Sequence, residues 1–492
     1  MNRPFQQRRR LPIGCRALCL PALLLPAVGG YGAPVRIPGL SESPFSLSGD
    51  GRYIAYVTSD AGVGSANKLG QVAVKDLDTG VVTLASVSPG DAAADGNCDS
   101  PSLSSDGRSV AFVSVAANLL PGGATELQQV YVRNLQTGAT IRASANAAGI
   151  AADNTTNPGL AISGDGRLVA FESFAHNLLV PDGPWVNIVV KDVATGAAIR
   201  GNSFGPDPRN NHTAGRPALS ADGRFVSFVA DVSGKDDILT LHVKNLATGA
   251  IVQADVDPMG VPGIGRPFFG GPGKSGLSGD GRFIAFETDA ANLVPGDVNK
   301  QADVFVKDLA TGAIVRASVS ASGGESNGAS TFDALSENGR YVAFETTANN
   351  LVPLPPLPPL PQGAPPRPRD TRTNGLLVKD LKTGRIFAVV AEGVATRASL
   401  TADGSRIAYV VRAGGFGGVY IDNTGLGDSA PTPGDLDGDG KVNVRDATLT
   451  LQIAVGILKP TAAQTAAGDL NGDGKVDVRD ATALLRKAVG LN

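Results

Sequence analysis

Short runs of alternating apolar and polar residues follow polar turns along most of this chain. The clearest example is 277–287, in which Ser-Gly-Asp-Gly precedes the strand-like run Phe-Ile-Ala-Phe-Glu. Asp-Gly supplies the left-handed backbone positions of a tight turn, and the preceding Ser can bond back to the turn backbone. The β-branched and aromatic residues that follow favour a strand. The pattern therefore predicts a turn followed by a strand.

This phrase occurs seven times. Its Asp or Asn lies at positions 50, 106, 165, 222, 280, 338 and 403. A second phrase, such as Val-Lys-Asp-Leu-Asp-Thr-Gly at 74–80, predicts a strand that enters a hairpin at Thr-Gly, and a third strand follows it. Self-similarity at a nearly fixed period indicates a repeat architecture. We therefore predict an all-β, seven-bladed β-propeller in which each repeat forms an antiparallel meander of three or four strands.

The seven turn phrases and their Thr-Gly hairpins resemble the TolB-type, WD-like propeller repeats of bacterial envelope and secreted proteins. The resemblance covers about residues 35–425, and we place the propeller at 34–426. Residues 35–38 are similar to the third strand of other repeats, which the last repeat, ending at 419–425, lacks. We therefore expect the N-terminal strand to complete the last blade and close the ring.

Residues 1–33 have the pattern of a secretory signal peptide. Arg8, Arg9 and Arg10 precede an apolar run that Pro21 and Pro26 interrupt, and small residues follow it. A membrane anchor is the alternative, but the apolar run is short and broken by proline. We expect a secreted, periplasmic or cell-surface protein.

Composition narrows the function classes. The formal net charge is −3, and without the five arginines of residues 1–30 the chain has 38 basic and 46 acidic residues. This balance argues against nucleic acid as the main partner. Cys98 is the one cysteine outside the leader, so we expect no internal disulfide. The three histidines have no ligand spacing, and each is expected to be a surface or turn residue.

Two acidic loops, 435–446 and 469–480, carry the strongest chemical signal. Oxygen ligands at loop positions 1, 3, 5, 7, 9 and 12 are predicted to wrap around one Ca²⁺ ion per loop, because calcium takes six to eight oxygens at this spacing. The first set is Asp435, Asp437, Asp439, the carbonyl of Lys441, Asn443 and Asp446. The second set is Asp469, Asn471, Asp473, the carbonyl of Lys475, Asp477 and Asp480. We predict two calcium ions in this C-terminal domain.

Each loop leads into a predicted amphipathic helix. The apolar faces are expected to contain Ala447, Leu451, Ala454 and Val455 in the first helix, and Ala481, Leu484, Leu485, Ala488 and Val489 in the second. The prolines at 431 and 433 exclude a helix before the first loop, and position 12 is Asp in both loops. These features resemble a type I dockerin, placed at 435–492 after a linker at 427–434.

The dockerin resemblance implies calcium-dependent folding and binding to a cohesin domain. It also implies that loop positions 10 and 11 contact the partner, which are Val444 and Arg445 in the first half and Val478 and Arg479 in the second. The two halves carry identical pairs, which would permit a two-fold-symmetric, dual binding mode. The pairs differ from the hydroxyl residues of cellulosomal dockerins, so a non-cellulosomal surface partner or docking onto the propeller stays open.

Other candidate sites lie in the propeller. Glu172, Glu287 and Glu345 follow Phe in three repeats and could provide an acid pair for glycoside chemistry, although solvent-side charges are favoured. The residues Asp297, Asn299 and Asp303 could place oxygens on a cation, although a polar loop is favoured. The proline-rich run 352–368 predicts a stiff polyproline II insertion.

Three hypotheses follow. The first is a secreted, non-catalytic propeller that binds a ligand and is anchored through a calcium-dependent dockerin–cohesin-type interaction. The second is a polysaccharide-degrading hydrolase acting on O-glycosyl bonds, because dockerins commonly accompany such enzymes. The third is an envelope scaffold in which the dockerin acts as an intramolecular calcium clip.

Overall fold

A computed structural model describes most of the propeller and part of the C-terminal domain. The described residues are 35–37, 40, 44–60, 69–122, 126–179, 186–202, 214–231, 239–265, 276–353, 375–389, 394–412, 417–426, 433–434, 436, 442, 444–455, 457, 465 and 467–488. The predicted signal peptide, most of the proline-rich run and most of the linker lie outside them, as do His212 and the first-loop ligands Asp435, Asp437, Asp439, Lys441 and Asn443.

The propeller consists of seven small antiparallel sheets, one for each repeat. After β1 (Val35–Arg36), blades 1 to 3 contain β2 (Phe45–Leu47), β3 (Tyr53–Thr58), β4 (Gln71–Asp76), β5 (Val82–Leu84), β6 (Cys98–Leu103), β7 (Ser109–Ser114), β8 (Gln129–Asn134), β9 (Thr140–Arg142), β10 (Thr156–Ile162), β11 (Leu168–Ser173), β12 (Asn187–Asp192) and β13 (Ala198–Arg200). Blades 4 to 7 contain β14 (Ala214–Leu219), β15 (Phe225–Asp231), β16 (Leu239–Asn245), β17 (Ile251–Gln253), β18 (Phe283–Thr288), β19 (Asp303–Asp308), β20 (Ile314–Arg316), β21 (Ser330–Leu335), β22 (Tyr341–Thr346), β23 (Gly375–Asp380), β24 (Ile386–Ala388), β25 (Val394–Leu400), β26 (Arg406–Arg412) and β27 (Gly418–Asn423). The predicted seven-bladed propeller is confirmed.

The ring closes as the sequence predicts. Strand β1 pairs antiparallel with β27, with Val35 opposite Ile421 and Arg36 opposite Tyr420. The sheet order β1-β27-β26-β25 makes β1 the outermost strand of blade 7. The amide of Ile37 then donates to the carbonyl of Val419 at 2.9 Å. The first and last segments of the propeller therefore share one sheet, and their pairing closes the ring.

The repeated turn has the local bonding that its residues imply. In blade 5 the Ser278 hydroxyl donates to Asp280 Oδ1 at 2.7 Å and accepts from the amide of Phe283 at 2.8 Å. Gly281 has φ of 69°, in the left-handed region, and an added Cβ would collide with the Phe225 ring of blade 4. The turn glycine therefore serves both the local conformation and the packing between blades.

Buried lysines also join the blades. The Lys of the second repeated phrase donates its ammonium group to a backbone carbonyl of the preceding blade. These pairs are Lys191 with Ala145 (2.7 Å), Lys244 with Arg200 (2.9 Å), Lys307 with Val256 (2.5 Å) and Lys379 with Val319 (2.7 Å). Burial lowers the pKa of Lys379 to about 8, because the charged form has lost its water.

Two helices occur in the described part of the chain, both near its C-terminus. They are α1 (Val444–Ala454) and α2 (Val478–Ala488), and they pack against one another. Neither has the length and apolarity that a membrane-spanning helix requires.

Candidate calcium and docking site

The second acidic loop is described throughout, and its first residue organises it. Asp469 Oδ1 accepts the amides of Gly472 at 2.7 Å and Asp473 at 3.1 Å, and Asp469 Oδ2 accepts the amide of Gly474 at 2.7 Å. Gly472 and Gly474 have φ of 74° and 82°, which side-chain-bearing residues rarely adopt. The glycines let the chain turn tightly around the carboxylate of Asp469.

The last residue of the loop ties the loop to the helix. Asp480 is 1% exposed, and its Oδ1 accepts the amide of Leu470 at 3.0 Å. Its Oδ2 accepts the amide of Asp477 at 2.9 Å, while Asp477 Oδ1 accepts the amide of Arg479 at 2.7 Å. This reciprocal pair caps the first turn of α2, where negative charge is favoured by the helix dipole. The bond from Arg479 also lowers the pKa of Asp477.

The first loop repeats this connection where it is described. Asp446 is fully buried, and its Oδ1 accepts the amide of Leu436 at 2.9 Å, the same ten-residue span that joins Asp480 to Leu470. Two copies of one buried carboxylate-to-amide bond show that the halves share a local structure. The sequence repeat of 34 residues is thus a structural repeat as well.

The donor set of the second loop fits a hard cation in its chemistry. The side chains of Asp469, Asn471, Asp473, Asp477 and Asp480 all offer oxygen, and Gly474 provides the bend at position 6. Among the described residues, no three His, Cys, Asp or Glu side chains are grouped as a ready-made metal site. The carboxylates instead accept backbone amides, and the guanidinium of Arg479 lies 3.0 Å from Asp477 Oδ2.

The ends of this domain are fastened to each other. Lys487 Nζ donates to the carbonyl of Pro433 at 3.1 Å, and the amide of Gly434 donates to the carbonyl of Ala467 at 2.8 Å. A small core lies between the helices. It contains Leu436, Ala447, Ile453, Ala467 and Leu484, with Val442, Leu449, Leu470 and Val476 packed against it.

The family model of the dockerin type I domain matches residues 433–487. These residues are a dockerin type I domain. Dockerin domains of this type bind calcium and assemble through cohesin-type partners, and the proteins that carry them are typically extracellular. The C-terminal part of the chain is therefore a calcium-dependent, cohesin-type assembly module.

The propeller is similar in fold to several solved structures. Oligogalacturonate lyase in complex with manganese has 12% identity and a TM-score of 0.51, covering 80% of this chain and 94% of that chain. TolB from Acinetobacter baumannii has 19% identity and a TM-score of 0.34, and TolB from Agrobacterium tumefaciens has 14% and 0.36. The match to the Agrobacterium protein covers 71% of this chain and 96% of that chain. The match to the Acinetobacter protein covers 56% of this chain and 54% of that chain, so this chain spans about half the length of that protein. No curated protein sequence matches this chain.

Equivalent apolar residues of the two dockerin helices are exposed to the same degree. Val444 and Val478 are 53% and 54% exposed, and Leu451 and Leu485 are 46% and 47% exposed. Within the predicted apolar faces, Ala447 and Leu484 are buried in the core of the domain, whereas Leu451, Val455 and Leu485 are exposed. The 34-residue repeat could have indicated this matched surface, because each exposed residue recurs in the second half.

The three propeller carboxylates do not face one another. Each accepts a backbone amide from the inner strand of the next blade. The bonds join Glu172 to Arg216, Glu287 to Phe332 (2.7 Å) and Glu345 to Arg397 (3.0 Å). These amides lie where the pairing of the inner strand with its neighbour shifts register. The carboxylates therefore provide acceptors for N–H groups at positions where regular strand pairing is interrupted. Glu172 is buried, whereas Glu287 and Glu345 are half-buried, so the expectation of solvent-side charges is wrong for Glu172 and holds only in part for the other two.

The loop with Asp297, Asn299 and Asp303 is also more than a polar loop. The guanidinium of Arg316 lies 3.1 Å from Asp297, 3.3 Å from Asp303 and 2.9 Å from Glu325. Asp303 is fully buried, and burial raises its pKa despite the neighbouring Arg316. The positive charge beside these carboxylates is therefore the guanidinium of Arg316, at the place where the sequence suggested a bound cation.

The prediction that each histidine is a surface or turn residue is wrong for His242, which is buried in β16. His176 is exposed, as predicted.

Proposed function

We propose that this chain is a secreted, non-catalytic binding protein whose propeller is attached to a cohesin-type partner by the dockerin domain. The boundaries that go with this proposal are a signal peptide at 1–33, a propeller at 34–426, a linker at 427–434 and a dockerin domain at 435–492. The observation that best supports attachment through the dockerin domain is that Val444 and Val478, and likewise Leu451 and Leu485, are exposed to the same degree in the two halves. Exposed apolar residues grouped on a helix are a common sign of a protein interface.

The two helix faces support a dual binding mode. Arg479 adjoins Val478, and its side chain is 78% exposed, so an apolar residue and a cation lie together at the start of α2. Val444 and Arg445 have the same order at the start of α1. A partner that recognises one face would find the same residue types on the other after a rotation of about half a turn, so either helix could lead the contact.

Two calcium ions are proposed for the two loops, held by the twelve residues predicted from the sequence. When bound, calcium supplies positive charge that neutralises the loop carboxylates. Asp446 and Asp480 are buried at the starts of α1 and α2, and they connect the loop to the helix through amide bonds. Through these hydrogen bonds, a change in loop conformation on calcium binding would move the first turns of the helices, where Val444 and Val478 lie.

The first test uses the full chain and the cohesin domains encoded in the same genome, immobilised for surface plasmon resonance. Binding is expected in calcium and is expected to disappear in chelator. The variant Val444→Asp/Leu451→Asp removes one face and Val478→Asp/Leu485→Asp removes the other. Each is expected to bind within about twofold of the wild type, whereas the combined variant loses at least about 100-fold, or about 2.7 kcal/mol.

A matched control places the same substitutions on the propeller. Val81 and Val315 are 60% and 50% exposed, so Val81→Asp/Val315→Asp adds the same charge as either double variant without touching the dockerin domain. Its affinity for the cohesin domain should equal that of the wild type. Calcium-induced folding without capture by any cohesin would contradict anchoring and favour the intramolecular clip.

The hydrolase alternative depends on Glu172, Glu287 and Glu345, which have a structural explanation as caps of backbone amides. The similarity to oligogalacturonate lyase is one of fold at 12% identity. If the alternative were correct, purified protein would degrade polysaccharides, and Gln variants of these residues would abolish that activity. We expect the wild type to release no reducing sugar from a polysaccharide panel.

A further inference from the structure

The seven repeated turns form one end of the central channel of the propeller. The residue before each Asp or Asn lies on this ring, and neighbouring turns are joined by backbone hydrogen bonds of 2.7 to 3.1 Å. The ring residues are Gly49, Ser105, Gly164, Ala221, Gly279, Glu337 and Ala402. The bonds run from blade to blade around the complete circle, including Ala402 to Gly49 across the closing junction. We call this end of the channel the floor.

Glu337 is the one charged residue of the seven floor positions. It belongs to blade 6, yet its Oε1 accepts a hydrogen bond from the hydroxyl of Ser105 in blade 2. Blades 6 and 2 are three positions apart, which is the largest separation in a ring of seven blades. The side chain therefore crosses the channel. Small neighbours leave room for it, since a Cβ on Gly49 would lie 3.3 Å from Glu337 Oε1 and a Cβ on Gly279 would lie 3.1 Å from Glu337 Cβ.

A cavity of about 260 Å³ lies above this floor. It exceeds the roughly 150 Å³ cavity that holds a benzene ring and is slightly below the roughly 300 Å³ at which drug-sized pockets begin. Its lining combines aliphatic side chains, such as Leu103 and Leu335, with the hydroxyls of Ser102 and Ser399. A small molecule with a narrow apolar part and one polar end matches this size and composition.

The charges of the lining select the sign of that polar end. Among the lining residues that the structure describes, Glu337 and Arg397 are the charged ones. Arg397 lies five residues before the floor residue Ala402 in the chain, and among the described residues no ion pair joins its guanidinium to Glu337. The carboxylate of Glu337 thus faces the cavity without a cationic partner in that lining. Burial raises its pKa, consistent with a carboxylate withdrawn from water.

We propose that the central cavity binds a small organic cation, with an ammonium or guanidinium group held by the carboxylate of Glu337. A positive group at this position forms a charge-assisted hydrogen bond in a site of reduced dielectric. The aliphatic wall then takes the apolar remainder of the ligand. This inference deepens the binding role proposed for the propeller and rests on it. Its test does not involve the dockerin domain, so either proposal can fail alone.

The test is isothermal titration calorimetry of the full chain with four probes of similar size. These are n-butylammonium and n-butylguanidinium as cations, n-butanol as the neutral control and butyrate as the anionic control. We expect the cations to bind at least tenfold more tightly than butanol and butyrate. Glu337→Gln keeps the size of the side chain and should lower cation affinity at least tenfold, whereas Glu337→Asp keeps the charge and should retain part of it.

The matched control is Glu126→Gln, which removes an exposed carboxylate outside the cavity and should leave binding unchanged. Thermal unfolding of each variant checks folding, and Glu337→Gln should melt no lower than the wild type, because a neutral amide costs less to bury than a carboxylate. Cation binding no tighter than that of butanol would overturn the proposal. Unchanged cation binding by Glu337→Gln would overturn it as well.

Discussion

Acid should destabilise the propeller through His242. This imidazole is 5% exposed, lies 5.6 Å from the Phe228 ring and contacts Thr240 Oγ1 through Nε2 at 2.7 Å. Thr240 donates its hydroxyl proton to the carbonyl of Ala230 at 3.1 Å, so its oxygen accepts from Nε2–H of the neutral ring. An added proton would therefore go to Nδ1. Burial lowers the pKa of His242 from 6.5 to about 4, because the imidazolium has lost its water.

The sign and size of the effect follow from linkage. The folded state has the lower pKa, so the unfolded chain binds the proton first, and stability is lost as pH falls from about 6.5 towards about 4. The pKa of His242 differs by about 2.5 between the unfolded and folded states, so this residue can lower the free energy of unfolding by at most about 3.4 kcal/mol. Between pH 7 and pH 5 the expected loss from this one residue is about 2 kcal/mol.

Blade 5 supplies a suitable variant. Phe305 occupies the position equivalent to His242 and stacks on Phe286 with ring centroids 6.0 Å apart, so His242→Phe should pack without a titrating group. Urea unfolding followed by circular dichroism at pH 7 and pH 5 should show that the variant loses about 2 kcal/mol less than the wild type. The exposed His176→Phe is the control. Equal pH dependence of wild type and His242→Phe, or titration of all three imidazoles near pH 6.5 by NMR, would refute the reasoning.

Three further predictions concern Arg316 with its carboxylate partners, the closing strand β1 and the second calcium loop. Arg316→Gln should lower the free energy of unfolding by about 3 to 5 kcal/mol in urea titrations, because it strands buried carboxylates. The more exposed Arg282→Gln should cost less than about 1 kcal/mol, and equal losses would contradict this explanation. Deleting residues 34–38 should lower the melting temperature by about 5 °C or more in calorimetry, since it removes β1 and the buried Ile37; an unchanged value would show that β1 contributes little. Asp480→Ala should abolish the calcium-induced gain in helical circular dichroism, a result that a persistent gain would contradict.

Short-range signals predicted most of the fold. The Ser-x-Asp-Gly turn and the alternating strand after it are local, so each repeat could be recognised from about a dozen residues. The closing strand was also predictable, because residues 35–38 are similar to strands whose equivalent the last repeat lacks. The calcium loops were recognised from spacing alone, and the family match at 433–487 confirms the dockerin domain. Assignment of the individual ligands and of the two ions stays a prediction.

Failures of prediction involve contacts between distant residues. Glu287 was expected to face solvent, but it caps the amide of Phe332 in the next blade, 45 residues away. The exposure of Leu451 does not follow from periodicity, which gives a helical face without saying which part of that face the rest of the domain covers. Arg316 was not recognised as the centre of a cluster because its three carboxylates come from separate positions in the chain.

The sequence by itself determined the repeat, its turns and strands, the closing strand and the dockerin domain, because each depends on residue types at fixed local spacing. Only the tertiary structure decided what the repeated charges do. Lys379 and Glu345 become donors and acceptors for neighbouring blades, and Glu337 reaches Ser105 across 232 residues. The physical reason is that ring closure fixes which charged side chains lose water and which partners they meet. Neither is encoded in the spacing of a single repeat.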